Sequence, residues 1–196
     1  MENKILHDIF IYGKLIDLIV IDENLIKNSN YYSWFNNSET TKYMQQHYFP
    51  NTIENQLDFY SKNVRNSKNK VQLGILHKKT QSFIGIISLS NIDLLNRSAE
   101  ISGIIGEARY KNFTNFLEAS KLIIIHGFES LNLNRIYGGT IVKEVDLMFC
   151  KMLGFKNEGI SRNAVFKNNL YCDIYKHAIL KDDYTDKISI FKKSVL

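Results

Sequence analysis

The sequence predicts an α/β protein whose central sheet is mixed, mainly antiparallel and flanked by helices. Two short apolar segments, residues 71–76 and 83–89, are separated by the sequence HKKTQS, a pattern typical of a hairpin. Residues 97–106 are almost continuously apolar, as expected for a central strand that is buried on both faces. A long helix is predicted next, because apolar or small residues recur at three- and four-residue intervals: Phe113, Phe116, Leu117, Ser120, Ile124, Gly127 and Leu131.

Length and composition predict a single globular domain. The chain has 196 residues, of which 44% are hydrophobic and 23% charged. We expect one domain over residues 1–184 and a short C-terminal tail over residues 185–196. The formal net charge of +5 suits an anionic ligand. Nucleic acid is not an expected partner, because the sequence has no run of five or more basic residues.

The cysteines and the N-terminal apolar stretch indicate the cellular localisation of the protein. Cys150 and Cys172 fit neither a metal-ligand spacing nor a disulfide framework, so we expect a cytoplasmic protein without a metal. Residues 9–21 are apolar but are interrupted by Lys14 and Asp17. This interruption argues against a signal peptide or a membrane span, and the stretch is predicted to be the first strand.

The remaining elements follow from local patterns. Thr52 is suited to cap a helix that carries an apolar stripe. A strand is predicted at residues 135–142 and a short helix at residues 146–153. The final hairpin is predicted to consist of strands at residues 156–165 and 171–180. Gly154 suits the end of that short helix, and the Lys167-Asn168-Asn169 segment suits the hairpin turn. Only one strand–helix–strand crossover is supported, so a doubly wound dinucleotide-binding fold is disfavoured.

The polar loop between the central strand and the long helix is a candidate ligand site. A strand that feeds a helix brings backbone N–H groups and the positive end of the helix dipole to one point, which is a physical solution for binding pyrophosphate. An ordinary connecting loop is the alternative that this segment alone leaves open.

Four segments carry a family resemblance: YYSWFNNSETTKYM, FIGIISLSNIDLLNRSAEISGIIG, EASKLIIIHGFESLNLNRIYGGTIV and KMLGFKNEGISRNAVFKNNLYCDIY. In this order, over residues 31–184, they resemble the GNAT superfamily of N-acetyltransferases, in particular the branch of ribosomal-protein N-terminal acetyltransferases. The resemblance implies the GNAT fold and transfer of an acetyl group from acetyl-CoA to a primary amine. SWFNNSETTKYM followed by YFPNTIENQLDFY is also similar to acetyltransferases of amino-sugar and surface-polysaccharide pathways, which implies the amine of a nucleotide-linked sugar as acceptor.

The phosphate loop departs from the family pattern, which reads Gln/Arg-x-x-Gly-x-Gly/Ala. The corresponding residues here run from Lys111 to Phe116, so that Thr114 and Phe116 stand in the place of the small residues. The family's Asn before the last short helix is Lys143 here. The resemblance implies a cofactor site formed by Ile104, Ile105, Gly106, Lys111, Asn112, Thr114, Asn115 and Lys143. A GNAT-fold module that has lost turnover and binds a ligand or partner is the alternative.

Three side chains are candidates for the acid–base chemistry. Glu100 has the apolar neighbours Ala99 and Ile101, which predict a partly desolvated base acting through water; a salt bridge to Arg97 is the alternative. Asp173 is a second candidate carboxylate, which could instead fix a neighbouring loop. Cys150 stands where many relatives have a Tyr that acts as the general acid, so the resemblance implies this role for its thiol. The alternative is a small cysteine that belongs to the core.

The acceptor is expected to be a small-molecule amine or a peptide N-terminus, and a homodimer is left open. An aromatic cluster in residues 31–49 could form a substrate wall or could belong to the core. The candidate acceptor-binding residues are Trp34, Gln45, His47 and Tyr48. The tail carries an apolar stripe of Ile188, Phe191 and Val195, which is expected to dock on the body or on a partner.

Overall fold

The computed structural model describes residues 7–42, 44, 48–186, 192–193 and 195. Two strands, four helices and three strands precede the longest helix, which follows a 3₁₀ turn over Ala108–Tyr110. The elements are β1 (Ile9–Ile11), β2 (Ile16–Val20), α1 (Glu23–Lys27), α2 (Tyr31–Trp34), α3 (Ser38–Thr41), α4 (Ile53–Asn63), β3 (Val71–His77), β4 (Ser82–Asp93), β5 (Ser98–Ile105), α5 (Phe113–Glu129), β6 (Arg135–Thr140), α6 (Lys143–Leu153), β7 (Lys156–Lys167), β8 (Leu170–Leu180) and α7 (Lys181–Thr185).

The described strands form one sheet in the order β1-β2-β3-β4-β5-β6-β8-β7. All neighbouring pairs are antiparallel except β5 and β6, which are parallel and are connected by the crossover helix α5. The predicted mixed, mainly antiparallel sheet with one crossover is therefore confirmed.

Helices cover both faces of this sheet. On one face, buried residues of α5 such as Leu122 and Ile123 pack with Ala99 and Ile101 of β5. A second apolar cluster lies with α1 and α2 and has Tyr31, Trp34 and Leu76 among its members. In the tail, Val195 is buried in the first cluster, so this residue docks on the body of the protein; Ile188 and Phe191 lie outside the described residues.

The prediction of one strand over residues 9–21 is wrong, because a turn divides this stretch into β1 and β2. A carboxylate of α5 stabilises the turn: Glu118 Oε1 accepts hydrogen bonds from the amides of Lys14 and Leu15 at 2.7 and 2.8 Å. Gly13 is required there, since a Cβ atom at this position would lie 2.4 Å from the carbonyl oxygen of Ile16. Both effects depend on atoms outside the apolar pattern, which is why the pattern alone did not reveal the turn.

Most local signals in the sequence are confirmed. The Thr52 side chain accepts from the Asn55 amide and caps α4. Gly154 ends α6 with a φ of 77°, although this helix begins three residues earlier than predicted, at Lys143. Asn168 and Asn169 adopt φ angles of 51° and 61° in the two-residue turn between β7 and β8, as expected for a tight hairpin.

In the part of the chain that the structure describes, no helix combines the length and the apolar character needed to cross a bilayer.

Candidate active site

The sheet opens between its two parallel strands. β5 and β6 are paired only through Ser98↔Arg135, Ala99↔Ile136 and Glu100↔Tyr137. Beyond these pairs β5 continues alongside β4 as far as Ile105, whereas β6 continues alongside β8 as far as Thr140. The C-terminal halves of the two strands are thus separated, and we refer to the space between residues 101–105 and 138–140 as the sheet gap.

Backbone groups of β5 line this gap. The Gly106 amide donates to the Ile84 carbonyl at 2.9 Å, in the same register that pairs Ile86 with Ile104. Because backbone groups alternate in direction along a strand, the peptide groups of Ile104 face β4, and those of Gly103 and Ile105 face the gap. Of the predicted residues Ile104 and Ile105, only Ile105 therefore presents its peptide groups to the gap, together with Gly103.

Two residues of β5 beside the sheet gap, Ser102 and Gly103, are solvent-exposed although they lie in a central strand. A side chain at Gly103 would be crowded, since a Cβ atom there would lie 2.5 Å from Ile87 Cδ1 and 3.2 Å from Phe116 Cε2. The Phe116 ring also makes an edge contact with Phe149, with 6.2 Å between ring centroids. Phe116 thus lies beside Gly103 on the α5 face of the gap.

The N-terminus of α5 lies beside the end of β5 and retains the features of an anion site. Asn112 caps the helix by accepting from the Asn115 amide, and the Asn115 side chain donates to the Tyr110 carbonyl. Both predicted amide side chains therefore hold the loop in shape. The amides of Phe113 and Thr114 belong to the first helical turn, where no intrahelical acceptor exists, and this turn contains no acidic residue.

Two predicted lysines occur at helix N-termini. Lys111 immediately precedes the α5 cap and is exposed, with its Nζ donating to Thr40 Oγ1 at 3.0 Å. Lys143 is the first residue of α6 and is also exposed. Both side chains add positive charge to ends that already carry the positive pole of a helix.

Trp34 is buried against the loop that follows β5 and does not form an exposed substrate wall, which corrects the prediction for this residue. Only 4% of its surface is exposed. Its Nε1 donates to Glu107 Oε1 at 3.0 Å, and its ring packs on Gly106, where a Cβ atom would lie 2.0 Å from Trp34 Cδ2. Gly106 is accordingly buried against Trp34 and takes part in packing.

Tyr48 is the predicted acceptor-binding residue that is accessible, with 59% of its surface exposed. Its hydroxyl donates to the carbonyl of Phe166, and Lys167 Nζ lies 5.3 Å from its ring centroid, so Tyr48 is attached to the β7–β8 hairpin. Gln45 and His47 lie outside the described residues, and their roles stay predictions.

Polar side chains from β4 and β5 meet on the sheet face opposite to α5, and we call Ser88, Ser90, Glu100 and Ser102 the polar floor. Ser88 and Ser102 are hydrogen-bonded at 2.9 Å, and Ser90 is paired with Glu100 in the ladder. Asn91 donates to Glu100 Oε2 at 3.0 Å. A half-buried carboxylate therefore belongs to the last residue pair before the gap, Glu100↔Tyr137.

The alternative partner of Glu100 is engaged elsewhere. Arg97 donates through its guanidinium to the carbonyl and the side-chain oxygen of Asn132 at 2.8 and 3.1 Å. Glu100 is hydrogen-bonded to a neutral amide instead, so its carboxylate is held in place without being neutralised by Arg97.

Asp173 has the structural role that was its alternative reading. It accepts from the Asn163 amide at 2.8 Å, within the irregular stretch of β7 between Ser161 and Val165. The carboxylate thus supplies an acceptor to a backbone group that the bulge removes from the ladder. A role of Asp173 as a base stays a prediction.

Cys150 is half-buried on α6, where it packs against the main core. Burial and, to a smaller extent, the negative charge of Asp146 raise the pKa of its thiol. The thiol is therefore protonated at neutral pH and can act as a proton donor.

Two features of the site lie outside the predicted residues. Gly103 was detectable as a glycine inside an apolar strand, which is a signal of close approach to the backbone. The second is the buried pair of His177 and Asp146, whose Nδ1 and Oδ1 atoms are 2.7 Å apart; no sequence motif joins these two residues. Burial lowers the pKa of His177, and the hydrogen bond to Asp146 opposes this shift in part.

Over the residues described, no group of three or more His, Cys, Asp or Glu side chains is arranged to hold a metal ion.

Comparison with known proteins is consistent with this geometry. Residues 27–144 match the acetyltransferase (GNAT) domain. The Bacillus subtilis protein named "Putative ribosomal N-acetyltransferase YdaF" is 29% identical over 117 residues, which are 59% of this chain and 62% of that protein. The "Uncharacterized N-acetyltransferase p20" of Bacillus licheniformis is 31% identical over 115 residues, which are 58% of this chain and 64% of that protein. The chain thus spans less than two thirds of the length of these relatives.

Solved structures share the fold. The spermidine N-acetyltransferase of Vibrio cholerae, in complex with CoA and spermine, superposes with a TM-score of 0.78 at 20% identity and covers 87% of this chain and 98% of its own. A GNAT acetyltransferase of Bacillus anthracis gives 0.71 at 19% identity, with 88% and 98% covered. Since the family domain covers more than half of the sequence, the chain belongs to the GNAT acetyltransferase family.

Proposed function

We propose that this protein transfers the acetyl group of acetyl-CoA to a primary amine. The observation that carries the proposal is the sheet gap, where the peptide groups of Gly103 and Ile105 face an open space. An extended arm with amide groups, such as pantetheine, can bond to a strand edge in the manner of an added strand. The solvent exposure of Gly103 supports access of such an arm to this strand.

The diphosphate end of the cofactor is assigned to the N-terminus of α5. The amides of Phe113 and Thr114 supply donors, the helix dipole favours an anion, and the exposed Lys111 adds charge. Thr114 is exposed. The Phe116 ring, which replaces the small residue of the family pattern, contacts Phe149 and borders Gly103. The bulk of this ring therefore affects the width of the gap and not the amides of the first helical turn. Lys143 is a second cation for the same ligand.

Bound acetyl-CoA would supply an acyl group activated as a thioester. Amine attack then needs a neutral amine, an oriented carbonyl and a proton for the departing thiolate. A Gly103 or Ile105 N–H that faces the gap is suited to donate to the thioester oxygen. Positioning of the two reactants can contribute up to about 7–11 kcal/mol.

Glu100 is the candidate base and Cys150 the candidate acid. Glu100 lies on the polar floor next to the gap and is held by Asn91, so it can accept the amine proton directly or through water. The Cys150 thiol is protonated at neutral pH and can provide the proton for the leaving thiolate, with solvent as its substitute. Cys150→Ser with unchanged turnover would assign that proton to solvent.

Calorimetry with acetyl-CoA, followed by measurement of thiol release, tests the proposal. The acceptor panel contains a nucleotide-linked amino sugar, our first choice, peptides with a free N-terminus, and spermidine. We expect acetyl-CoA binding and turnover of at least one class, with Glu100→Gln lowering the rate and leaving acetyl-CoA binding intact. Binding without turnover of any class would favour the alternative of a ligand-binding module. Absence of binding at millimolar acetyl-CoA would exclude the enzymatic proposal.

A further inference from the structure

A cavity of about 280 Å³ opens beside the polar floor, between the end of α4, the loop before β3 and the end of β4. Its lining is rich in hydrogen-bond donors and contains no acidic side chain. The lining includes Asn63, Ser67, Asn69, Lys70, Ser90 and Asn91.

Lys70 gives this cavity its positive charge. Its Nζ lies 4.8 Å from the centroid of the Phe59 ring on α4, so the side chain runs along the same sheet face as the polar floor. Burial lowers the pKa of Lys70, and the negative charge of Glu100 opposes this shift. The other lysine of the lining, Lys62, already forms an ion pair with Asp58 at 2.7 Å. None of the ion pairs found among the described residues contains Lys70, whose charge is attracted by Glu100.

The neutral side chains around Lys70 complete a donor set. Ser67 donates to Asn69 Oδ1 at 2.9 Å, which leaves the NH₂ group of Asn69 as a donor. The Asn91 side chain is hydrogen-bonded to Glu100 and to Tyr137, and the Ser90 hydroxyl donates to the Glu100 carbonyl, so these two residues form the floor of the cavity and Asn69 supplies its neutral donor. An ammonium group next to an amide donor is suited to a carboxylate or a phosphate.

The cavity is adjacent to the candidate base. Asn91 lines the cavity and is hydrogen-bonded to Glu100, so the two sites share a residue. Lys70 precedes β3 and Glu100 lies on β5, two strands away, which corresponds to a backbone separation of about 10 Å at ~4.8 Å per strand. Long side chains shorten the distance between their charged ends.

We infer that the acceptor amine carries an anionic group, a carboxylate or a phosphate, which Lys70 binds in this cavity while the amine lies at Glu100. This inference rests on the proposed acetyl transfer and adds the chemical class of the acceptor. Amine and anion should be about 5–10 Å apart, given the strand spacing. A polyamine offers only positive charge to Lys70 and should be a poor acceptor.

Matched acceptor pairs and lysine variants test the inference. The pairs are glucosamine with glucosamine 6-phosphate, and peptides that differ only by Asn or Asp at the second position; the two arms distinguish phosphate from carboxylate. The anionic member of at least one pair should be preferred over its neutral counterpart and over spermidine. Lys70→Gln should then raise KM for that acceptor about 10- to 100-fold, the effect of losing a hydrogen bond to a charged group. Its kcat, the KM for acetyl-CoA and the neutral acceptors should change little.

Lys68→Gln is the control, because Lys68 is exposed in the same loop and lies outside the cavity lining. This substitution removes the same charge as Lys70→Gln without changing the cavity. Lys70→Arg should retain most of the preference. A readout without turnover is calorimetric titration with inorganic phosphate of protein saturated with CoA, which fills the anion site proposed at the N-terminus of α5; phosphate should then bind to the wild type and to Lys68→Gln and not to Lys70→Gln. Equal use of neutral and anionic acceptors, or equal behaviour of the Lys70 and Lys68 variants in both assays, would overturn the inference. Loss of acetyl-CoA binding in the wild type would instead contradict the proposed function.

Discussion

Gly103→Ala is the sharpest perturbation of the sheet gap. The added Cβ would lie 2.5 Å from Ile87 Cδ1 and 2.9 Å from the carbonyl oxygen of Ile86. Ile87 is fully buried and the Ile86 carbonyl belongs to the β4–β5 ladder, so neither can move freely. Overpacking of this kind costs about 1–3 kcal/mol of stability. For a chain of this size, that corresponds to a decrease in Tm of about 2–12 °C.

The same methyl group should narrow the gap on the side of Phe116, whose Cε2 would lie 3.2 Å away. We expect acetyl-CoA to bind about tenfold more weakly, equivalent to about 1.4 kcal/mol. Phe116→Ala removes one wall of the gap, so the double variant should recover part of this loss. In a double-mutant cycle the two positions should therefore be coupled.

Calorimetric titration with acetyl-CoA, together with thermal melting, separates the effect on binding from the effect on stability. Gly127→Ala is a suitable control, because its Cβ would meet only the ends of the buried side chains of Ile136, Leu89 and Leu133, away from the gap. It should change stability and leave acetyl-CoA binding as it is. Unchanged affinity in Gly103→Ala, or additive effects of the Gly103 and Phe116 changes, would refute the assignment of the gap as the cofactor site.

Three further outcomes follow from buried polar groups. Glu118→Ala should lower the free energy of unfolding by about 3 kcal/mol or more, because backbone amides of the β1–β2 turn lose their acceptor, and Glu118→Gln should cost less; urea unfolding measures both, and equal costs would contradict this role. Burial lowers the pKa of His177 in the folded protein, so only the unfolded chain gains this proton as the pH falls below about 6.5, and stability should decrease from pH 7.5 to pH 5.5. Since burial also lowers the pKa of His7 and of His126, His177→Asn should reduce this pH dependence without abolishing it, and an identical dependence of the urea midpoint would disprove the assignment. Asp146→Asn removes a charge that raises the pKa of Cys150, so alkylation of Cys150 by iodoacetamide at pH 8 should accelerate in a Cys172→Ser background; mass spectrometry gives the rate, and slower labelling would be the contrary result.

The fold could be predicted because its signals are local. The apolar period of α5, the Asn168-Asn169 turn and the caps at Thr52 and Gly154 each depend on residues within a few positions of one another. These signals fix the type of most elements and, with a single crossover, the mainly antiparallel sheet.

The features that the sequence did not reveal depend on distant partners. The turn that divides residues 9–21 is stabilised by Glu118, more than 100 positions later. Trp34 is buried because it packs on Gly106 and donates to Glu107. Both partners are distant in the sequence, so the residues around Trp34 do not predict these contacts. The sequence therefore leaves both a substrate wall and the core open for this residue of the short helix α2.

The sequence predicts the location of the candidate site but not which of its atoms face the gap. The sequence indicated the junction of β5 and α5 and the carboxylate Glu100. It could not indicate which peptide groups face the gap, because direction alternates with register and the register is known only from the pairing of β4 with β5. The same limit explains Asp173, whose carboxylate serves a bulge that no residue pattern predicted.

The interrupted pairing between β5 and β6 divides the sheet into a block of five strands and a block of three, joined by a seam of three residue pairs. A central strand of such a protein therefore behaves along half its length like an outer strand, and its amides at Gly103 and Ile105 should exchange with deuterium as readily as those of a frayed edge. A ligand that inserts along the seam would restore the missing ladder and slow this exchange. Deuterium uptake at these two positions would thus report occupancy directly, even in a variant that is chemically silent.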